Sequence, residues 1–219
     1  AVETGVLHVG NLELSILPNV FIGPEAILDR LVASGTMDSH QAFAESRSNA
    51  LLVGQGNPKD IQGVADIMRE DICVAMSNPE SEKASFQVYL DSLVALADLA
   101  GMDGAALMEL FSGKSGRVIF SNTIYHREVP QMLADGRADV AMVYYHLALH
   151  YCCIFPDMFS MVALGGTCDD PQQGPAHSIT RYHLGLIGDG GDWGSSFVDF
   201  MLGNIAGAFY EKHGLQRLG

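Results

Sequence analysis

The ten residues 71–80, DICVAMSNPE, contain the pattern that decides the fold of this chain. The apolar run ICVAM predicts a short buried strand, and the following Ser-Asn-Pro ends it. Residues 85–100 come next and carry apolar side chains at helical spacing, which predicts a long helix. The pattern therefore predicts a strand whose carboxyl end leads into the start of a helix.

Short apolar strands and amphipathic helices alternate on both sides of this stretch. The predicted strands are at residues 19–23, 50–53, 117–120, 139–144, 158–164 and 178–187. The predicted helices begin at Pro24 and lie at residues 64–69, 105–111, 128–134, through residue 151, and at 193–210. This alternation is typical of βαβ units on a largely parallel sheet, so the predicted fold class is α/β.

The composition disfavours two classes of partner. The chain has 219 residues and a formal net charge of −14, because 26 acidic residues face only 12 lysines and arginines. A basic surface for nucleic acid is therefore not expected. The most apolar stretch, residues 140–156, contains His146 and His150 and is shorter than a bilayer-spanning helix needs to be. We expect no nucleic-acid partner and no membrane span.

The four cysteines leave the disulfide state open. Cys152 and Cys153 are adjacent and rarely pair with one another, while Cys73 lies in the predicted strand. A bridge from the adjacent pair to Cys168 and unpaired core thiols are both compatible with the sequence.

Four segments of the chain are informative through their order. They are Gly56-Asn57-Pro58-Lys59, the stretch DICVAMSNPE, residues 125–130 (YHREVP) and residues 136–144 (GRADVAMVY). In this order they resemble the molybdate-binding family of periplasmic solute-binding proteins, over roughly residues 19–151. The resemblance implies a two-lobed type II periplasmic binding protein, in which each lobe is a mostly parallel sheet flanked by helices.

The resemblance also implies a function outside the cytoplasm. It indicates the solute-binding protein of an ABC-type uptake system, which binds a small anion such as molybdate or tungstate between its lobes and passes it to a transporter permease. We expect a periplasmic or otherwise extracytoplasmic monomer with no cofactor and no catalytic activity. The first lobe is predicted at residues 1–53 plus 179–219 and the second at residues 54–178, with crossings near 50–54 and 178–184. Only eighteen residues precede the strand at 19–23, which predicts a shortened first lobe or a chain from which residues are missing.

Residues 77–85, SNPESEKAS, provide the first set of candidate ligand-binding side chains. They join a strand end to a helix start, where free backbone N–H groups and the helix dipole favour an anion. The alternative is ordinary capping of the helix by its own serines and glutamates. The candidates here are Ser77, Glu80, Ser81 and Ser85.

Further candidates follow later strands. His126 and Arg127 stand between a strand and a helix, and the guanidinium of Arg127 suits an oxyanion, although an ion pair with Glu128 explains it equally well. Tyr144 ends a strand, and its hydroxyl is a suitable donor. From the short N-terminal segment only Asn11 and Ser15 are candidates.

Other functions remain as alternatives on weaker patterns. One is a sensor module or a binder of a small organic carboxylate through Arg127, and another is an acid–base enzyme that uses Glu80, His126 or Glu128. His146 and His150 have helical i, i+4 spacing, but the adjacent cysteines lack metal-ligand spacing, so no metal site is predicted. Gly113-Lys114-Ser115 is not a P-loop, because methionine stands where its leading glycine is required.

Overall fold

The computed structural model describes residue 2 and residues 5–218. The chain divides into two compact units. One is formed by the chain up to Ser46 together with the chain from Thr180 onwards, and the other is Arg47–Ile179. The second unit is therefore a continuous insertion into the first.

The helices and strands are numbered along the chain. Up to Ser46 they are β1 (Val6–Val9), β2 (Leu12–Ser15), β3 (Val20–Pro24), α1 (Glu25–Ala33) and β4 (Gln41–Ser46). The second unit contains β5 (Asn49–Gly54), α2 (Val64–Ile67), β6 (Val74–Met76), α3 (Lys83–Leu99), α4 (Gly104–Leu110), β7 (Val118–Phe120), α5 (Tyr125–Ala134), β8 (Val140–Tyr144), α6 (Tyr145–Ile154) and β9 (Phe159–Ala163). From Thr180 onwards they are β10 (Arg181–Leu186), α7 (Gly191–Leu202), α8 (Asn204–Lys212) and β11 (Leu215–Arg217).

The second unit is built on a five-stranded sheet with the order β7-β6-β8-β5-β9. β6 pairs in parallel with both β7 and β8, whereas β5 is antiparallel to both β8 and β9. The strands β6 and β8 are almost continuously apolar, and all of their residues are buried except the half-buried Tyr144, as in a sheet covered on both faces. A single cluster of buried side chains extends through the unit, including Leu52, Leu93, Tyr125 and Met142.

The first unit has a four-stranded sheet with the order β11-β4-β10-β3, in which every neighbouring pair is antiparallel. A separate antiparallel hairpin joins β1 to β2. The buried side chains form two small clusters. One is centred on Leu28 of α1, and the other contains Phe43 and Leu184 from the neighbouring strands β4 and β10.

The strand directions correct one part of the predicted fold. The sheet of the first unit is entirely antiparallel and that of the second is mixed, so the prediction of mostly parallel sheets in both lobes is wrong. Alternating strands and helices in a sequence do not determine whether paired strands run parallel or antiparallel, because a strand can pair with a partner that lies far along the chain. Here β3 and β4 both pair with β10, which lies more than 130 positions further along the chain.

Two element boundaries also differ from the sequence prediction. β5 was expected in the first lobe, which was placed at residues 1–53, but it pairs with β8 and β9 in the sheet of the second unit. The predicted helix at 193–210 is two helices, because Gly203 interrupts it with an extended backbone, φ −75° and ψ 166°. The strands β1, β2, β4 and β11 were not predicted.

The cysteines form no disulfide bridge. All four cysteines are free thiols, and burial raises the pKa of Cys152 to about 11, with the nearby Cys168 adding to the shift. Among the described residues, no helix combines the length and apolar character needed to cross a membrane.

Candidate functional site

The strand ends of the second unit form the candidate site. Because β6, β7 and β8 are parallel, their carboxyl ends meet at one edge of the sheet, and each is followed by a helix, namely α3, α5 and α6. Hydrogen bonds join the first two of these ends. The backbone N–H of Asn78 donates to Ser121 Oγ (3.1 Å), and Asn78 Nδ2 donates to the Ser121 carbonyl (3.1 Å). Open α/β sheets bind ligands at this kind of edge.

The turn before α3 is organised by Asn78. Its Oδ1 accepts hydrogen bonds from the N–H groups of Glu80 (2.9 Å) and Ser81 (3.4 Å), and its carbonyl accepts from the N–H of Glu82 (2.8 Å). α3 then begins at Lys83 with Glu82 at its N-cap position. Helix geometry gives the first-turn amides of α3 no intrahelical acceptor, so this end is suited to an anion.

Three buried polar atoms at this edge have no hydrogen-bond partner among the described residues. They are Ser77 Oγ, Ser85 Oγ and His126 Nδ1. Ser77 itself is completely buried, with an exposed fraction of 0%. A buried polar atom without a partner costs about 1–3 kcal/mol, so such atoms usually face a ligand or an ordered water. All three belong to residues that follow the carboxyl ends of β6 and β7, which makes this edge the candidate site.

Aromatic rings line the same region. Tyr89 of α3 contacts Tyr144 and His126, with ring centroids 5.2 Å and 5.9 Å apart, and Tyr144 stacks on His146 at 5.6 Å. Burial lowers the pKa of His126, and burial together with His126 lowers the pKa of His146 to about 4. Both imidazoles are therefore neutral at pH 7, and the aromatic rings bring no positive charge to the site.

Two carboxylates occupy the start of α5. Glu82 Oε2 accepts hydrogen bonds from Ser121 Oγ (2.7 Å) and from the backbone N–H of Tyr125 (2.9 Å). Glu128 Oε2 accepts from the N–H groups of Asn122 (2.8 Å) and Thr123 (3.1 Å). The positive end of α5 is thus satisfied by the protein's own side chains.

The candidates from the sequence fall into three groups. Ser77, Ser85, His126 and Tyr144 lie at the ends of β6 and β8 or near the starts of α3 and α5, and the rings of His126 and Tyr144 are in contact (6.1 Å between centroids). Glu80, Ser81 and Arg127 are exposed nearby. Asn11 and Ser15 belong to the β1–β2 hairpin of the first unit, where both are exposed.

Sequence reasoning missed Glu82, Tyr89 and Ser121. Glu82 directly precedes the long helix, and Tyr89 and Ser85 are four residues apart on one face of it. That spacing was the available signal for Tyr89. Nothing in the local sequence indicates that Glu82 binds the loop after another strand, because the two lie about forty residues apart.

A cavity of about 690 Å³ lies between α5 and α6. His126, Arg127 and Pro130 contribute to it from α5, and Tyr151 and Phe155 contribute from α6 and its end. The Tyr151 hydroxyl donates to the His126 carbonyl and fixes the two helices where they meet. Among the residues that the structure describes, no three His, Cys, Asp or Glu side chains are grouped so as to hold a metal ion.

The family of the chain follows from a comparison of its sequence with family models. The model that describes bacterial extracellular solute-binding proteins matches residues 17–216, which is most of the chain. The chain belongs to this family. No curated protein sequence matches this solute-binding protein.

Solved structures with the same fold include proteins with different ligands. One is the sulfate-binding protein SubI from Mycobacterium tuberculosis H37Rv, with a TM-score of 0.66 and 18% identity over 91% of this chain and 69% of that one. A second is the periplasmic molybdate-binding protein of Azotobacter vinelandii, with a TM-score of 0.59 and 16% identity over 90% of this chain and 77% of that one. A third is the Campylobacter jejuni protein PEB3 with bound L-phospholactate, with a TM-score of 0.63 and 13% identity over 90% of this chain and 79% of that one. At these identities the likeness establishes the fold alone. The predicted type II periplasmic binding fold of a solute-binding protein is confirmed.

Proposed function

We propose that this solute-binding protein is the extracytoplasmic binding component of an ABC-type uptake system and that it binds a small oxyanion at the carboxyl edge of β6, β7 and β8. The permease of that system would be its protein partner, and the periplasm its location. The chain would bind its ligand without transforming it. The expectation of a binding protein rather than an enzyme is supported by the family, whose members are described as solute-binding proteins.

One observation carries the proposal. Ser77 Oγ, Ser85 Oγ and His126 Nδ1 are buried without partners at the strand ends, where the first turn of α3 also presents its amides. Hydroxyl and amide N–H groups bind oxyanions without a cationic side chain, because oriented dipoles in a water-poor site interact strongly with charge. The acidic net charge does not prevent this, since the local field of oriented amides can be positive.

The solved structures with the same fold support a small ligand. The three described above are named for molybdate and sulfate or hold L-phospholactate, and all three of these ligands are small anions. Molybdate and tungstate are the anions that the sequence resemblance implies, and they belong in the first set of ligands to be measured.

A small organic carboxylate is a second candidate ligand. The cavity beside α5 is larger than a tetrahedral oxyanion requires, and both His126 and the exposed Arg127 line it. A ligand with an organic body could place its carboxylate near Arg127. A guanidinium group can form two parallel hydrogen bonds with a carboxylate. The resemblance of the fold to PEB3 with L-phospholactate is consistent with this alternative.

The test is thermal and chemical unfolding of the chain with molybdate, tungstate, sulfate, phosphate and small carboxylates. A ligand specific to the folded state adds ~2.7 kcal/mol of stability at one hundred times its Kd. Ser77→Ala and Ser85→Ala each remove one hydroxyl at the edge and are expected to weaken the effect about tenfold in Kd, as the loss of a hydrogen bond to a charged ligand does.

Ser112→Ala is the matched control, because its hydroxyl binds the Glu109 carbonyl on the exposed end of α4. The control is expected to keep the full ligand response. The proposal is wrong if no small anion stabilises the chain, or if the control loses as much affinity as the two site variants.

A further inference from the structure

Two histidines of the first unit face each other through the same ring nitrogen. His40 directly precedes β4, and His183 lies in the neighbouring strand β10. Their Nδ1 atoms are 2.8 Å apart, and the rings meet edge to face with their centroids 4.9 Å apart. The exposed fractions of the two side chains are 12% and 7%. The pair is therefore largely shielded from bulk water.

Two carboxylates of α1 lie beside the other nitrogens of these rings. His40 Nε2 is 3.1 Å from Asp29 Oδ1, and His183 Nε2 is 3.8 Å from Glu25 Oε1. Glu25 and Asp29 are four residues apart, so they lie on one side of the helix. A carboxylate accepts hydrogen bonds and cannot donate them, so it favours the tautomer in which Nε2 carries the proton. Both rings are thereby biased towards an unprotonated Nδ1.

This bias leaves no hydrogen between the two Nδ1 atoms. Two unprotonated nitrogens at 2.8 Å present lone pairs to each other and repel. If His183 instead carries its proton on Nδ1 and donates it to His40, its Nε2 becomes an acceptor beside Glu25. That Nε2 is buried and has no hydrogen-bond partner among the described residues. Neither neutral arrangement satisfies all four ring nitrogens.

A positive charge between the rings resolves this conflict. An additional proton would supply one, but burial lowers the pKa of His183, and the proximity of His40 and Arg181 adds to the shift that Glu25 and Asp29 oppose. A metal cation binds the unprotonated nitrogen of an imidazole and leaves the other nitrogen to donate its N–H. Histidines that bind metals usually donate that N–H to a carboxylate or a carbonyl, as the two Nε2 positions here allow.

We propose that His40 and His183 bind one divalent transition-metal cation of the type represented by Ni²⁺ through their Nδ1 atoms. Imidazole suits such cations, whereas Mg²⁺ prefers oxygen ligands. Asp29 and Glu25 orient the two rings, and water occupies the remaining coordination positions. The cation joins the segment before β4 to β10 and so stabilises the first unit. The site lies entirely in that unit and does not depend on the proposed function.

The experiment is isothermal titration of the whole chain with Ni²⁺ at neutral pH. We expect a saturable site on the unaltered chain. His40→Gln and His183→Gln are each expected to weaken its affinity at least tenfold, because each removes one of two protein ligands. Asp29→Asn is expected to weaken it about tenfold, as loss of a carboxylate that orients a metal-bound histidine does. Asp29 is largely exposed, so this variant tests the site without altering the core.

His8→Gln is the matched control, because His8 also lies beside a carboxylate, 4.0 Å from Glu13, on the exposed β1–β2 hairpin. It is expected to leave the affinity unchanged. A second measurement needs no variant. Paramagnetic Ni²⁺ is expected to broaden the NMR signals of the His40 and His183 rings before those of the other histidines.

Three results would overturn the proposal. The first is absence of Ni²⁺ binding to the unaltered chain, which would leave the pair with a proton or a strained hydrogen bond. The second is broadening of other histidine rings first, or an equal loss of affinity in His8→Gln, since Ni²⁺ would then bind elsewhere. The third is displacement of Ni²⁺ by a tenfold excess of Mg²⁺, because the carboxylates rather than the imidazoles would then hold the cation.

Discussion

The two units of this solute-binding protein use their strands in different ways. In the second unit, parallel strands end at one edge, and each leads into a helix there. In the first unit, every neighbouring pair of strands is antiparallel, so adjacent strands end at opposite edges. Parallel pairing therefore collects strand ends and helix starts in one place, and the buried serines and rings of the candidate site lie in the second unit for that reason.

The hydrophobic cores of the two units also differ, and the core of the second unit is the more continuous one. The buried side chains of the second unit form one continuous cluster, whereas those of the first form two small clusters on the faces of a narrow antiparallel sheet. A site with unpartnered polar atoms costs free energy, and a large continuous core offsets that cost more easily. The following predictions test this contrast.

The largest effect is expected from removing a leucine of each core. Leu52 of β5 and Leu28 of α1 are both completely buried. We expect Leu52→Ala to lower the free energy of unfolding by about 4 kcal/mol and Leu28→Ala by about 2 kcal/mol, because a closely packed core relaxes least around a cavity. Hydrogen exchange within each unit measures the two losses separately. Equal losses would contradict the contrast between the cores.

A pH effect of intermediate size is expected from His146. Its folded pKa of about 4 lies well below the value of an unfolded histidine. Below pH 6.5 the unfolded chain therefore takes up a proton that the folded chain refuses, and stability falls until the pH reaches the folded pKa. The loss between pH 6.5 and 4 is expected to approach roughly 3 kcal/mol. Urea unfolding at a series of pH values measures it.

His146→Gln is expected to flatten that pH dependence, because glutamine does not titrate. His183 of the first unit provides the comparison. Burial lowers its pKa too, but the nearby carboxylates of Glu25 and Asp29 oppose the shift. His183→Gln is expected to change the slope less than His146→Gln does. A larger change of slope for His183→Gln would show that the buried histidine that dominates the pH dependence lies in the first unit.

The smallest effects concern two tyrosine hydroxyls. The hydroxyl of Tyr125 is within hydrogen-bond distance of the carbonyls of Ala75 (3.1 Å) and Met142 (2.8 Å) in neighbouring parallel strands, whereas Tyr210 donates to the Met201 carbonyl (2.7 Å) in the first unit. Tyr125→Phe is expected to cost about 1.5 kcal/mol and Tyr210→Phe about 0.5 kcal/mol, because only Tyr125 is fully buried. Denaturant midpoints of the two variants measure the difference. A larger cost for Tyr210→Phe would contradict it.

Much of the second unit could be predicted because its strands β5, β6 and β8 are buried along almost their whole length. The runs at β5, β6 and β8 are apolar almost without interruption, and glycine, proline or asparagine ends most of the segments. In the first unit, β2 and β11 are short and largely exposed or half-buried, and β1, β2 and β11 carry no continuous apolar signal. Strand direction in that unit depends on pairing with the distant β10, which no local pattern contains.

The sequence predicts those residues of the candidate site whose placement depends only on their local position in the chain. Ser77 and Ser85 follow from the rule that a strand end meets a helix start, and the structure places both there. Whether a glutamate near such a helix start is exposed or bonded to a second loop is decided by packing. Glu80 is exposed, while Glu82, two residues later, joins the loops after β6 and β7. The sequence offered no basis for choosing between them.

The central position of β10 determines when the first unit can form during synthesis. Its sheet has the order β11-β4-β10-β3, so neither β3 nor β4 has a strand partner until residues 181–186 have been made. The second unit, Arg47–Ile179, is complete by then and contains its own sheet and core. During synthesis from the N-terminus, β3 and β4 therefore gain their strand partner only after the second unit has been made.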